Sequence, residues 1–158
     1  MPVISQLYIY PVKSLGGVSV QQAQVTTRGL QHDRRWMLID ENNVFLSQRN
    51  CPAMVLFKLH LVKEGVLVNY QPTHDSITIP FQPQTTQKLQ VQVWNDTCTA
   101  TIVSTALSAW FSNLLSLKCC LVYMCDDSIR PVDHRYAGAG YINSFADGYP
   151  MLLISQHL

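Results

Sequence analysis

The 158-residue chain reads as a mainly β protein of the α+β class, a small β-barrel of short, mostly antiparallel strands with one amphipathic helix near residues 105–118. Three observations predict it. Apolar and polar residues alternate at period two along much of the chain, turn-forming residues recur between the alternating runs, and a single segment switches to helical spacing. An apolar fraction of 47% is ample for a core, and the length suits one domain with the beginning of a second.

The elements follow in order. Ile4 to Tyr10, Val18 to Val25, Trp36 to Ile39, Val44 to Ser47 and Ile77 to Ile79 are strand candidates. Val55, Phe57, Leu59 and Leu61 alternate with Lys58 and His60, and a Lys63-Glu64-Gly65 turn leads into Val66 to Tyr70, which predicts a hairpin. Leu89, Val91 and Val93 alternate with Gln90 and Gln92. Across an Asn95-Asp96 turn, Cys98, Ala100 and Ile102 alternate with threonines, giving a second hairpin with one dry face on each strand. From Thr105 to Lys118, the residues Leu107, Trp110, Phe111, Leu114 and Leu115 share a helical face opposite Ser108, Ser112, Asn113 and Ser116. Ser104 or Thr105 is placed to cap that helix, and a buried strand, Cys119 to Met124, follows it.

The apolar pattern then stops. The domain organisation expected is therefore a barrel over 1–125, a loop or linker over 126–140 marked by Pro131, Gly138 and Gly140, and the truncated start of a second domain over 141–158. Within that last part, Met151 to Ser155 reads as a strand, close before His157 and Leu158, that cannot bury its faces alone.

Composition excludes several functions. Eleven basic and ten acidic residues leave a net charge of +1 with no run of like charges, so no broad surface for nucleic acid or anionic lipid is expected. The N-terminus lacks the pattern of a signal peptide, and no apolar run approaches the roughly 18 residues of a membrane span. Cys51, Cys98, Cys119, Cys120 and Cys125 are an odd number without C-x-x-C spacing. They read as reduced thiols of a cytoplasmic protein, not as a disulfide framework or a zinc site.

Chemistry concentrates in two places. In YPVKSLGG, Lys13 brings a compact cation, Ser14 a hydroxyl donor, and Gly16-Gly17 a backbone able to approach an oxyanion, a set that suits phosphate. The plain alternative is a strand end with a solvated lysine. A Walker loop is excluded, because the glycine needed five residues before the lysine is Tyr8. In GLQHDRRWML, Arg34 and Arg35 open a strand, so their side chains should point to opposite faces; one can grip a phosphate two-pronged while the other meets solvent or an acid. The alternative there is a salt bridge from Arg34 to Asp33 or Asp40. His32 reads as a polar surface residue, and hydrolase chemistry is disfavoured because no G-x-S-x-G elbow positions a serine.

LYIYPVKSLGG, GLQHDRRWMLID and VFLSQRNCPAM, in that order, resemble the amino-terminal β-barrel domain that precedes a MOSC domain, as in YcbX-like proteins and the mitochondrial amidoxime-reducing component. The resemblance covers roughly residues 3–125, and FADGYPMLLIS resembles the opening of the MOSC domain itself. It implies a molybdenum cofactor of the molybdopterin type, with molybdenum ion binding and pyridoxal phosphate binding as further family descriptors. It also implies two-electron reduction of small N-hydroxylated substrates, an electron-donating reductase as partner, and a missing MOSC domain in cis. By motif, Lys13, Ser14 and Arg34 would contact the cofactor's anionic end, while Gly148 and Tyr149, after Asp147, would line the pterin. Tyr149 stands where the family usually has a small residue. Arg49 matches a family arginine and is given a structural role. No cysteine here matches the family's molybdenum ligand, so this stretch should hold one wall of a cofactor site and no metal. The rival of another class is a stand-alone phosphate- or protein-binding barrel without redox activity.

Overall fold

The computed structural model describes residues 1 and 3–155. Its strands are β1 (Tyr8–Ile9), β2 (Val18–Ser19), β3 (Val25–Thr26), β4 (Gly29–Leu30), β5 (Trp36–Ile39), β6 (Phe57–Val62), β7 (Gly65–Tyr70), β8 (Asp75–Pro80), β9 (Lys88–Val93), β10 (Asp96–Ile102) and β11 (Cys120–Tyr123). A 3-10 turn, Pro52–Leu56, precedes β6; α1 is Thr105–Leu115 and α2 is His134–Ala137. The fold is β-rich, as the alternation predicts.

Four strands form an antiparallel sheet in the order β5-β11-β10-β9. Its two edges are joined by residues 43–46. Phe45 bridges Ile39 of β5, Val44 bridges Gln92 of β9, and the Phe45 N–H donates to the Gln92 carbonyl at 3.1 Å while the Gln92 N–H donates to the Asn43 carbonyl at 2.9 Å. The stretch read as a strand, Val44 to Ser47, thus serves as the stave that curls the sheet round, and a sheet so curled leaves few open edges.

Alternation decides which residues fill it. Met37 and Ile39, Val91 and Val93, Cys98 and Ala100, and Val122 point to one side, where Phe145 joins them from the far end of the chain. Trp36, Leu38, Leu121 and Tyr123 point to the other, against Leu107, Phe111 and Leu115 of α1 and against Phe57, Leu59, Val66, Val68 and Ile79 of the β6-β7-β8 sheet. All four residues of β5 are therefore buried, because the strand has a core on each face. Each large apolar side chain so buried contributes about 1.5–3 kcal/mol.

Several element boundaries move. The β1-β2 ladder pairs Tyr8 with Ser19 and Ile9 with Val18, so the strand within 4–10 is shorter than read, and 18–25 divides into β2 and part of the β3-β4 hairpin. The β9-β10 turn is Trp94-Asn95, one residue earlier than read, since Val93 pairs with Asp96 and Trp94 takes φ +54. The β6-β7 turn is Lys63-Glu64. Gly65 is already in the ladder, where a Cβ would lie 1.9 Å from the Ile79 carbonyl oxygen, so only glycine fits. Helix α1 is capped by Ser104, which accepts from the Leu107 N–H, and stops at Leu115 because Ser116 turns left-handed at φ +50.

Met151 to Ser155 forms no strand. It is exposed, with Leu153 at 91%, and joins no sheet among the described residues. His157 and Leu158 lie outside the described residues. The stretch 126–147 packs on the barrel as a strap: Ser128, Arg130 and Val132 are buried, and Pro131 bridges Ile142.

Candidate functional site

Lys13 follows β1 on a turn tied to β5, its N–H donating to the Trp36 carbonyl at 2.8 Å. This tie carries the side chain inward, and Lys13 is 5% exposed. A buried ammonium needs partners. It donates to the Phe145 carbonyl at 2.8 Å and to Asp147 Oδ1 at 2.6 Å, and it lies 5.2 Å from the centre of the Phe45 ring. Burial lowers its pKa; the Asp147 hydrogen bond and charge oppose that, and Arg130 and Arg34 add to the lowering.

Asp147 has the opposite setting, with its side chain 75% exposed. Its Oδ1 accepts a second hydrogen bond from the Trp94 indole N–H at 2.9 Å. Partial burial pushes its pKa up, but the Lys13 and Trp94 hydrogen bonds, with the charges of Lys13 and Arg34, outweigh this and leave it below the usual value.

Arg34 enters through the backbone as well as the charge. It adopts φ +46, donates its N–H to the Tyr10 carbonyl at 2.8 Å, and accepts the Phe145 N–H at 2.9 Å. Its guanidinium pairs with Asp33, lies over the Tyr10 ring, and keeps 24% of its side chain exposed. Asp33 is 2% exposed; burial raises its pKa, against which the Tyr10 N–H and Arg34 act. The ion pair with Asp33 weighed in the sequence is thus present, but it orients Arg34 from within the core instead of decorating the surface. Arg35 goes elsewhere, to the Met124 carbonyl and Asp126. The two arginines do not open a strand as read, since β5 begins at Trp36 and Arg34 sits in a turn at φ +46, which sets their divergence in place of strand alternation.

The sequence-predicted residues are brought together unequally. Lys13 and Arg34 share the Asp147 carboxylate as electrostatic focus. Ser14, at φ +66, gives its carbonyl to Gln48 Nε2 at 2.9 Å, and its hydroxyl makes no hydrogen bond among the described residues. Gly148 has open space around it, while the Tyr149 hydroxyl donates to the Asp133 carbonyl at 3.1 Å, away from Lys13. Arg49 stacks over Trp94 at 5.4 Å. His32 is half-buried and stacks on Phe81 at 4.2 Å.

Two arginines escaped the sequence reading. Arg130, 3% exposed, pairs with Asp96 at 2.8 Å and donates to the carbonyls of Ser144 (2.8 Å), Ala146 (2.5 Å) and Asp147 (3.1 Å), so it fixes the backbone that carries Asp147. Arg28, 5% exposed, holds the carbonyls of Asp126, Ser128 and Asn143. Their only sequence signal is position between turn residues. Trp94, read as neither turn nor ligand, completes the group.

Two clefts lie elsewhere. One of about 440 Å³ is lined by Ile9, Gln24 and Leu61 among others, and one of about 350 Å³ by Arg28, Arg35, Phe81 and Tyr123. Lys13 lines neither of them, because the Asp147 turn fills the space in front of it. The five cysteines are free, and burial raises the pKa of Cys51, Cys98, Cys119 and Cys120, which disfavours the thiolate a soft metal needs. Among the described residues, no group of three His, Cys, Asp or Glu is placed to hold a metal ion, and no helix is long and apolar enough to cross a membrane.

Residues 1–118 match the family model of the MOSC N-terminal beta barrel domain. The chain belongs to that family. Mitochondrial amidoxime-reducing component 1 of Mus musculus is 27% identical over 161 residues, covering 97% of this chain and 47% of the relative. Molybdenum cofactor sulfurase of Homo sapiens is 28% identical over 137 residues, covering 85% of this chain and 15% of the relative. The chain thus spans about half of one relative and a small part of the other. The solution structure of a Bordetella bronchiseptica protein aligns with a TM-score of 0.51 at 17% identity, over 68% of this chain and 92% of that one, a likeness of fold alone. The MOSC N-terminal domain is therefore homologous to parts of molybdenum-cofactor-associated proteins.

Proposed function

We propose that this chain is the amino-terminal part of a molybdenum-cofactor-dependent oxidoreductase that reduces N-hydroxylated compounds, and that its barrel holds the phosphate end of the pterin. One observation carries the reading. Lys13 and the Trp94 indole both donate to a single oxyanion, the Asp147 carboxylate, with the Arg34 charge acting on it. That donor set fits a phosphate, since each charge-assisted hydrogen bond is worth about 1.5–3 kcal/mol.

In this reading Lys13 neutralises the anion from a buried position, Arg34 supplies the donors that Asp33 leaves over, and Ser14 offers its uncommitted hydroxyl. The Gly148 backbone directly follows Asp147 in sequence, and Tyr149 serves only after leaving Asp133. When bound, the cofactor supplies the two-electron chemistry that removes the oxygen of an N–O bond as water, with electrons from a reductase partner. In this reading no thiol of this chain holds the metal, in keeping with the raised pKa of the buried Cys51, Cys98, Cys119 and Cys120.

The test is purification, from cells that make the cofactor, of the longest product the gene encodes, followed by pterin and molybdenum analysis. The Lys13→Ala/Arg34→Ala double variant is expected to retain less cofactor by roughly tenfold or more, having lost two charge-assisted contacts. Equal content in a folded double variant defeats the assignment. The rival reading, a phosphate-binding module without redox activity, would retain phosphate-dependent binding and yield no pterin from either protein.

A further inference from the structure

Lys13 has two partners, the Phe145 carbonyl and the Asp147 carboxylate, and they differ in kind. The carbonyl belongs to a backbone that cannot leave. Phe145 is fully buried, its N–H is bound by the Arg34 carbonyl, and Arg130 holds the carbonyls of Ser144, Ala146 and Asp147 on either side. The carboxylate belongs to a side chain that is 75% exposed, on the residue just before Gly148, around which there is open space. Rotation about the Asp147 side-chain bonds alone takes the carboxylate into water, where it is well solvated, and leaves a buried ammonium short of one oxyanion.

Arg130 therefore keeps the backbone still while the side chain of Asp147 is free to exchange. We infer that Asp147 is a resident competitor. It occupies the anion position on Lys13 until a phosphate monoester displaces it, and so sets the affinity threshold of the site and favours doubly charged anions over singly charged ones. This rests on the reading of Lys13 and Arg34 as an anion site. A dianion gains from both cations, whereas a monoanion only replaces one carboxylate-like charge by another. Because the site is open only in the fraction of molecules whose Asp147 has swung out, apparent affinity is reduced by that fraction. Trp94 reports the exchange, since its indole N–H donates to the same Oδ1.

The experiment titrates inorganic phosphate at pH 7.5 and fixed ionic strength into the chain, reading the Trp94 indole N–H resonance and the dissociation constant. The wild type is expected to bind weakly, with the Trp94 signal moving as phosphate saturates. Asp147→Asn is expected to bind at least about tenfold tighter, consistent with an open state populated at the level of a few per cent. Asp147→Ser, which withdraws the carboxylate entirely, should do the same, and Lys13→Gln should abolish saturation. Binding that needs Lys13 but is no tighter in either Asp147 variant overturns the competitor and leaves the anion site standing. No Lys13-dependent binding in the wild type or in either Asp147 variant overturns the anion site, and the competitor with it.

Discussion

Arg28 and Lys13 both bury a cation between the barrel and the strap of residues 126–147, but one is held by carbonyls and the other by a carboxylate at the surface. Arg28 is met by the backbone oxygens of Asp126, Ser128 and Asn143, which are fixed to the chain and uncharged. Lys13 has one such oxygen and one charged partner that solvent already reaches. A guanidinium held by several immobile carbonyls has less to offer a ligand. An ammonium whose second partner is exchangeable does, and that difference separates a fastening from a candidate binding site.

The largest expected effect tests the contrast directly. Arg28→Met strands several carbonyls and should cost about 3–5 kcal/mol, lowering Tm by roughly 10 °C. Lys13→Met leaves one carbonyl short while Asp147 returns to water, so it should cost about 1–2 kcal/mol. Thermal unfolding of both variants breaks the comparison if Lys13→Met proves the worse.

A smaller effect divides the two regions along the pH axis. His32, beside Arg35 on the Arg28 side, has its pKa lowered, first by burial and then by the Arg35 charge. Its protonated form is therefore disfavoured on folding. Above about pH 6.5 both states hold it neutral and nothing changes; as pH falls through that value, the unfolded chain takes the proton first and stability declines. His32→Asn, which tolerates the φ of +67 at this position, should flatten that decline in denaturant melts between pH 7 and 5. Asp147, whose pKa is lowered, should contribute stability that is lost only in more acidic solution, as pH falls through its folded value. A decline that persists unchanged in His32→Asn would assign the sensitivity elsewhere.

The smallest effect concerns the exposed end. Leu152 is 81% exposed and packs on neither core, so Leu152→Asp should leave Tm within about 1 °C. A larger drop would mean that Met151 to Ile154 supports the barrel after all.

Much of the fold was legible because alternation and helical spacing are local. The hairpin of β6 and β7, the strands β9 and β10, and α1 with its Ser104 cap all stand close to where their patterns put them. Ile4 to Tyr10 and Val18 to Val25 were less legible, because the length of a strand depends on the ladder it forms with a neighbour. Met151 to Ser155 has strand composition and no partner strand among the described residues. Lys13, Ser14 and Arg34 could be singled out by residue type, but Arg28, Arg130 and Trp94 could not, since their partners lie between 14 and 115 residues away in the hydrogen bonds that matter.

By itself, the sequence determined a β-rich chain with two hairpins, one amphipathic helix, and a few cations set beside glycines and turns, because those follow from periodicity and local conformational preference. Only the tertiary structure decided that residues 43–46 join the sheet's two edges, that Phe145 packs into its interior, and that Lys13 lies buried against an exposed Asp147. Burial and charge pairing arise between residues far apart in the chain, and no local pattern encodes which distant oxygen a buried cation will meet.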